Sequence, residues 1–399
     1  MEVQIEKWVY GGAGLARHEG RVVLVPYVMP GERVEVEPVR EKPGMVEARG
    51  LSRLQDSPDR IPPACPVFGQ CGGCHYQQAS AGFQAARKVD IVREVFRRVG
   101  KIEAPEEISI RTAEPWGYRN RTQFHLDREG RIGFLAWASH DLVPVESCPI
   151  SAPAINQALA ALRELSRDRR WPGFVREIEL FTNGERTMLN VLSTEGARGV
   201  AGAFFQWAGS RIPGAAEGSL LYQAAGETLR VSHGSFFQVN RFLIDELAAA
   251  ALEGAEGETA LDLYSGVGLF TLPLARRFRR VDAVETSASA LRDLECNAAH
   301  AGLSVSAHRL QSEQYLEGLA ETPDFVLADP PRSGLGKHVV RHLARLKPPR
   351  VTIVSCDPAT LARDLAALLP AGYRIGALTL VDLFPQTYHI ETVTRLVRC

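Results

Sequence analysis

No run of 18 apolar residues occurs anywhere in this chain of 399 residues, so a membrane-spanning helix is not expected. An excess of one charge is missing too. Lys and Arg number 46 against 47 Asp and Glu, a net charge of −1, so bulk charge announces no nucleic-acid partner and any basic surface must be local. An even cysteine set is also lacking. Seven cysteines, at positions 65, 71, 74, 148, 296, 356 and 399, argue against a disulfide framework and, through the clustering of the first three, toward a metal. The N-terminus, MEVQIEKWVY, alternates charged and apolar residues instead of carrying a signal-peptide core. Cys399 is the last residue, whereas a prenylated cysteine sits fourth from the end. The expected compartment is the cytoplasm and the expected state a monomer.

What is present is ordinary for a globular protein: 45% hydrophobic and 23% charged residues, with length for two or three domains. Residues 1–55 read as about five short alternating strands, such as RVVLVPYV and ERVEVEPV, with turns at Gly11–Gly12, Pro30–Gly31 and Pro43–Gly44. That pattern suits a small OB-type barrel. Residues 56–225 begin with a Pro/Cys/Gly-rich stretch, continue into an amphipathic helix with a basic face (AGFQAARKVDIVREVFRRVG), and then become β-rich. From 226 to 399 apolar strands alternate with helices: TALDLY, RVDAVE, SASALRDLECNAAHAG, DFVLAD, VTIVS, PATLARDLAALL. Such alternation implies a doubly wound, mostly parallel α/β sheet. GALTLV and ETVTRLV come last with no helix between them, so one of the pair should be antiparallel.

Ligands of such sheets bind at the carboxyl ends of the strands, and the polar residues there carry the chemistry. In ALDLYSGVGLFTLPLA a strand ends near Asp262 and Gly266-x-Gly268 turns into a helix, so that backbone can approach a ligand. A dinucleotide fingerprint would want a third glycine where Thr271 stands, which favours S-adenosylmethionine over NAD. Glu285 ends the next strand, where an acid can accept from ribose hydroxyls. Taken alone, the two glycines could mark only a tight turn. Asp329 closes a buried strand before two prolines, whose missing N–H groups end the pairing and stiffen the loop. Cys356 precedes an Asp357 N-cap and a Pro358 first turn, where a helix end favours thiolate; a stray cysteine would more often be a small buried hydrophobe. Glu391 interrupts the apolar strand HIETVTRL, where a raised pKa suits general-base work, and His389 is the lesser candidate. Cys65-x5-Cys71-x2-Cys74, with Cys148 as a remote fourth, lacks the paired spacing of structural zinc and leans to iron–sulfur. The Cys-x3-Cys-x2-Cys spacing of radical enzymes is absent.

A methyl donor, a thiolate and a base together suit methylation of uracil at carbon 5: thiolate addition at carbon 6 makes carbon 5 nucleophilic, and a base later removes its proton. The chain resembles the iron–sulfur RNA (uracil-5-)-methyltransferases that carry an N-terminal TRAM domain. The likeness covers nearly its whole length and rests on Cys65, Cys71, Cys74 and Cys148 and on SFFQVN, DLYSGVGLFTLPLA, AVE, DPPRSG, SCDP and HIETV in that order. It implies Cys356 as nucleophile, Glu391 as base, Gln238, Tyr264, Glu285 and Asp329 as cofactor-binding positions, and the four cysteines as 4Fe–4S ligands. Tyr264 and Ser265 depart from the Phe and Cys of many members. The implied substrate is RNA, 23S ribosomal RNA before transfer RNA, with the target uridine flipped out. Phe236 or Phe237 could stack on bases; Arg119, Asn120 and Arg121 resemble a strand near the substrate; Arg163, Arg167, Arg169 and Arg170 could meet phosphate. Two other readings stand beside this one. A non-catalytic iron–sulfur RNA-binding protein is opposed by the joint presence of Cys356, Asp329 and Glu391. A redox protein is opposed by the lack of any flavin or nicotinamide motif.

Overall fold

The computed structural model describes residues 1–196 and 207–399. Its first 55 residues form a six-stranded sheet of Glu2–Gln4, Lys7–Trp8, Ala13–His18, Arg21–Pro26, Arg33–Lys42 and Met45–Gln55. Alternation drives it: Val3, Val23, Val25, Val34 and Val36 point inward while charged neighbours point out. Glu2–Gln4 pairs with the fifth strand and Lys7–Trp8 with the third, so one stretch of chain holds both edges and curls the sheet. The sixth strand, against about five expected, comes from a break at Ile5–Glu6.

The β-rich middle is a second six-stranded sheet, from Arg121–Leu126 to Ala215–Ala216, covered by the helix Pro153–Leu165. Three parts of residues 56–225 belong elsewhere, one of them the strand Ser219–Ala224, which pairs with Glu227–Ser232 beyond the expected boundary. The helix Ala81–Val95 starts at the Ser80 cap, whose side chain accepts from the Phe83 N–H. Its apolar stripe, Val89 and Val92 with Phe96 beyond, packs on Leu361 and Leu365 of the C-terminal layer. The strand Ser109–Arg111 then joins the edge of the C-terminal sheet, parallel to Tyr373–Val381.

That sheet has eight strands, in the order Ser306–His308, Arg280–Val284, Thr259–Leu263, Phe325–Ala328, Arg350–Ser355, Glu391–Arg398, Tyr373–Val381 and Ser109–Arg111. Helices cover both faces, so its central strands are buried and largely apolar. Glu391–Arg398 is antiparallel to both its neighbours. The order reverses at Thr259–Leu263, which lies between Arg280–Val284 and Phe325–Ala328. Such a switch point opens a crevice above the strands' carboxyl ends. Tyr264, Glu285, Asp329 and Cys356 are each the first residue beyond their strand, and Glu391 is the first residue of the antiparallel one. All five therefore crowd one edge of one sheet.

Candidate active site

Cys356 leaves Arg350–Ser355 and is held by the helix that begins two residues later. One oxygen of Asp357 accepts from the Ala359 and Thr360 N–H groups at 2.9 and 3.0 Å, and Pro358 opens the helix Pro358–Leu368. The antiparallel register pairs Ser355 with Thr392, so one step outward sets Cys356 beside Glu391. Glu391 is buried; that burial, with Asp329 nearby, raises its pKa well above the carboxylate range. Burial, Glu391 and Asp329 together push the Cys356 thiol up to about 12, with Arg332 the opposing charge. The helix end expected to favour thiolate does not prevail, because Asp357 already occupies its free N–H groups and two acids face the sulfur. Arg332 is exposed and lies 3.4 Å from His389 Nδ1. Burial and Arg332 push His389 down to about 3, which leaves its ring neutral.

The crevice beside this pair is built on backbone. Glu285 accepts from the Gly266 N–H at 3.0 Å and from the Ser287 N–H at 2.6 Å, which aims the carboxylate across the glycine loop. Gly266 has φ +55, and no atom lies within 4 Å of where its Cβ would stand, so open space adjoins the backbone there. Gly268 has φ +98, and a Cβ on it would meet Leu272 at 2.7 Å. Tyr264 takes φ 63 without being glycine, a strain of order 1 kcal/mol held at the strand exit. Gln238 donates to Asp329 at 3.1 Å, and burial pushes Asp329 up to about 7. Buried Asn120 sets Gln238 in place: its amide donates to the Gln238 carbonyl at 2.9 Å and to the Tyr222 hydroxyl at 3.0 Å.

Cys65, Cys71, Cys74 and Cys148 all line a second cavity of about 660 Å³, which reaches His389 and Phe236. Among the described residues no three His, Cys, Asp or Glu side chains converge as ligands of a single metal ion do. Burial pushes Cys71 up to about 11 and Cys74 up to about 12. Three side chains on this cavity's wall have buried nitrogens without hydrogen-bond partners: both ring nitrogens of His75, Nε of Arg119, and Nε and Nη2 of Arg121.

Elsewhere the structure sorts the candidates. Phe237 is core, 2% exposed, whereas Phe236 is 62% exposed on the cavity rim. Arg163, Arg167 and Arg170 pair with Glu146, Glu164 and Asp168, the ordinary fate of surface charge. Three residues near the reacting edge were given no role by the sequence. Arg332 is the cation beside Cys356 and Glu391. Asp262 is fully buried, accepts from the Thr271 hydroxyl at 2.5 Å and has Oδ1 unpartnered. Tyr10, from the N-terminal sheet, donates to Asp357 at 2.9 Å. Arg332 and Asp262 stand inside the motifs DPPRSG and ALDLYSG. Tyr10 carries no local signal.

Residues 223–399 match the family model described as tRNA (uracil-5-)-methyltransferase. The chain is 35% identical over 412 residues to the 23S rRNA (uracil(1939)-C(5))-methyltransferase RlmD of Cronobacter sakazakii, across 97% of this chain and 94% of that protein. It is 33% identical over 417 residues to an uncharacterized RNA methyltransferase of Aquifex aeolicus, across 99% and 98%. Among solved structures, the Pyrococcus abyssi tRNA (uracil-54, C5)-methyltransferase in complex with S-adenosyl-L-homocysteine superposes with a TM-score of 0.77 at 25% identity, over 100% of both chains.

Proposed function

This chain belongs to the RNA (uracil-5-)-methyltransferase family, and on that footing we propose that it methylates carbon 5 of one uridine in 23S ribosomal RNA through a covalent Cys356–uracil adduct. The observation that carries the reading is the placement of Cys356 beside Glu391 at the edge where Tyr264, Glu285 and Asp329 frame a crevice. S-adenosylmethionine supplies an electrophilic methyl on a cationic sulfur. Glu285 has lone pairs to spare for ribose hydroxyls, and the bare backbone at Gly266 leaves the cofactor room, while Gly268 lets the loop close onto Leu272. Gln238 and Asp329, joined by their hydrogen bond, stand between that crevice and Cys356. The Cys356 sulfur, once its proton has passed to solvent, bonds to carbon 6 of the uracil and turns the ring into an enolate. Carbon 5 then attacks the methyl, and S-adenosylhomocysteine departs. Glu391 in its ionised form takes the carbon 5 proton, the carbon 6–sulfur bond breaks, and 5-methyluridine leaves. A thiol pushed up to about 12 stays protonated by itself at neutral pH. Arg332 and the incoming sulfonium are charges of the sign that brings it down, which ties thiolate formation to cofactor binding.

We read the four cysteines as 4Fe–4S ligands. What supports this is one cavity lined by all four thiols and Arg119 on its wall, whose buried, unpartnered Nε suits an anionic thiolate cluster. The cluster would hold together the loop Cys65–Cys74 and the distant Cys148.

RNA needs a local basic surface in a chain of net charge −1. The helix Gly336–Leu346 supplies one, with Lys337, His338, Arg341 and Arg345 along it, no acid in its sequence, and no ion pair to these four among the described residues. Ribosomal RNA is favoured by the RlmD likeness across nearly the whole chain. Transfer RNA is the second reading, favoured by the matched family model and the Pyrococcus abyssi fold. Mapping 5-methyluridine in both RNAs from a deletion strain separates them, since only the true target loses the mark. For the chemistry, RNA bearing 5-fluorouridine should trap a covalent complex, because fluorine cannot leave carbon 5 as a proton. Cys356→Ala should form none while still binding the cofactor, and an adduct in that variant would assign the nucleophile elsewhere.

A further inference from the structure

The turn at Val9–Gly12 belongs by sequence to the N-terminal sheet, yet it reaches the reacting edge. The Tyr10 hydroxyl donates to Asp357 Oδ2 at 2.9 Å, while Oδ1 of the same carboxylate caps the helix behind Cys356. The rings of Tyr10 and Tyr388 meet edge-on, centroids 5.9 Å apart, and Tyr388 packs on His389, two residues before Glu391. One side chain therefore touches both the residue after Cys356 and the loop that delivers Glu391.

The approach is close and rigidly seated. Gly12 has φ +94, and a Cβ on it would meet both His75 and Tyr388 at 3.1 Å, so the turn admits no larger residue without displacing one of them. Trp8 stacks flat on Tyr76 with centroids 4.0 Å apart, and Lys7 pairs with Glu94 of the neighbouring helix at 2.7 Å. These contacts leave the barrel little freedom to slide over the catalytic sheet.

The geometry points to Tyr10 as a positioning residue for the methyl transfer, making the N-terminal barrel a structural part of the catalytic centre as well as an appendage. Through Asp357 it fixes the exit angle of Cys356 and neutralises part of the nearest added negative charge. Cys356 is faced by Glu391, Asp329, Arg332 and Asp357. Removing the hydroxyl leaves Asp357 less compensated, and so raises the thiol further.

This inference rests on Cys356 being the nucleophile, and its test keeps the two apart. Tyr10→Phe retains the ring and its packing. Adduct formation with 5-fluorouridine RNA, measured in a single turnover across pH, should slow about tenfold near neutrality. Its pH limb should move upward, while KM for RNA and for S-adenosylmethionine stays within about twofold. In an Asp357→Asn background the same substitution should add little, because the two act as one unit. A Tyr10→Phe enzyme with the wild-type adduct rate and pH limb, or one altered only in KM, overturns the inference. Absence of an adduct in the wild-type enzyme would instead overturn the nucleophile assignment, whatever Tyr10 does.

Discussion

In the proposed role of base, Glu391 would serve catalysis against stability. Its buried carboxyl is raised by burial and by Asp329, so the fold prefers it protonated. That preference is fully present below the ordinary carboxylate value and is lost as pH rises through the raised one. Glu391→Gln keeps the shape and removes the ionisation. The variant should melt higher than wild type at pH 8, and the gap should close toward pH 4, read by thermal unfolding at both. Its chemistry should fail in the opposite sense. Methyl-labelled RNA should stay covalently bound to the protein on a denaturing gel, with about one cofactor consumed per enzyme; normal multiple turnover would shift the base to another group. The positions of Asp329, Glu285 and Cys356 were legible in the sequence because a parallel sheet ends its apolar runs at one edge, and Glu391 because a carboxylate stands out against the apolar strand that it opens. The ionisation state of Cys356 was not legible, because it depends on two carboxylates brought in from other strands. Tyr10 was not legible either, since its partner lies 347 positions away.

At the scale of elements, the loop from Asp382 to Ile390 delivers His389 and leads into Glu391, and it is tied down by groups from several other segments, Asn240 among them through the Leu383 carbonyl. Lys88, fully buried in the helix Ala81–Val95, pairs with Asp382 at 2.6 Å and donates to the Phe384 carbonyl at 2.9 Å. The His75 and Tyr76 N–H groups both donate to the Gln386 carbonyl, and the Tyr118 hydroxyl donates to that of Pro385. Lys88→Met would strand a buried carboxylate and a carbonyl, so it should destabilise by about 3–5 kcal/mol. A lowered thermal midpoint should show this, and adding Asp382→Asn should recover part of it; an unshifted midpoint would mean that water reaches Asp382. The periodicity of residues 80–99 predicts this helix, but no pattern within it says which layer it covers. Ser109–Arg111 is harder still: three exposed residues give no alternation from which a strand, or its sheet, can be read.

For the whole molecule, the cysteine-lined cavity joins distant parts of the chain and makes the clearest compositional test. Protein purified without oxygen should be brown and hold about four irons per chain. Cys148→Ser should lower that content while leaving the Cys65–Cys74 loop intact. Stoichiometric zinc without iron would replace the assignment. A net charge of −1 gave no sign of a local basic surface, because ion pairs such as Arg170–Asp168 offset many cations, whereas Lys337, His338 and Arg341 of Gly336–Leu346 have no ion pair among the described residues.

The eighth strand and the helix before it also set the order in which the protein can be made. Val89, Val92 and Phe96 emerge from the ribosome about 265 residues ahead of Leu361 and Leu365, which bury them. At ordinary translation speeds that apolar stripe waits on the order of 10–50 seconds for its cover. Throughout that interval the growing chain presents a sticky helix and an incomplete sheet to its surroundings.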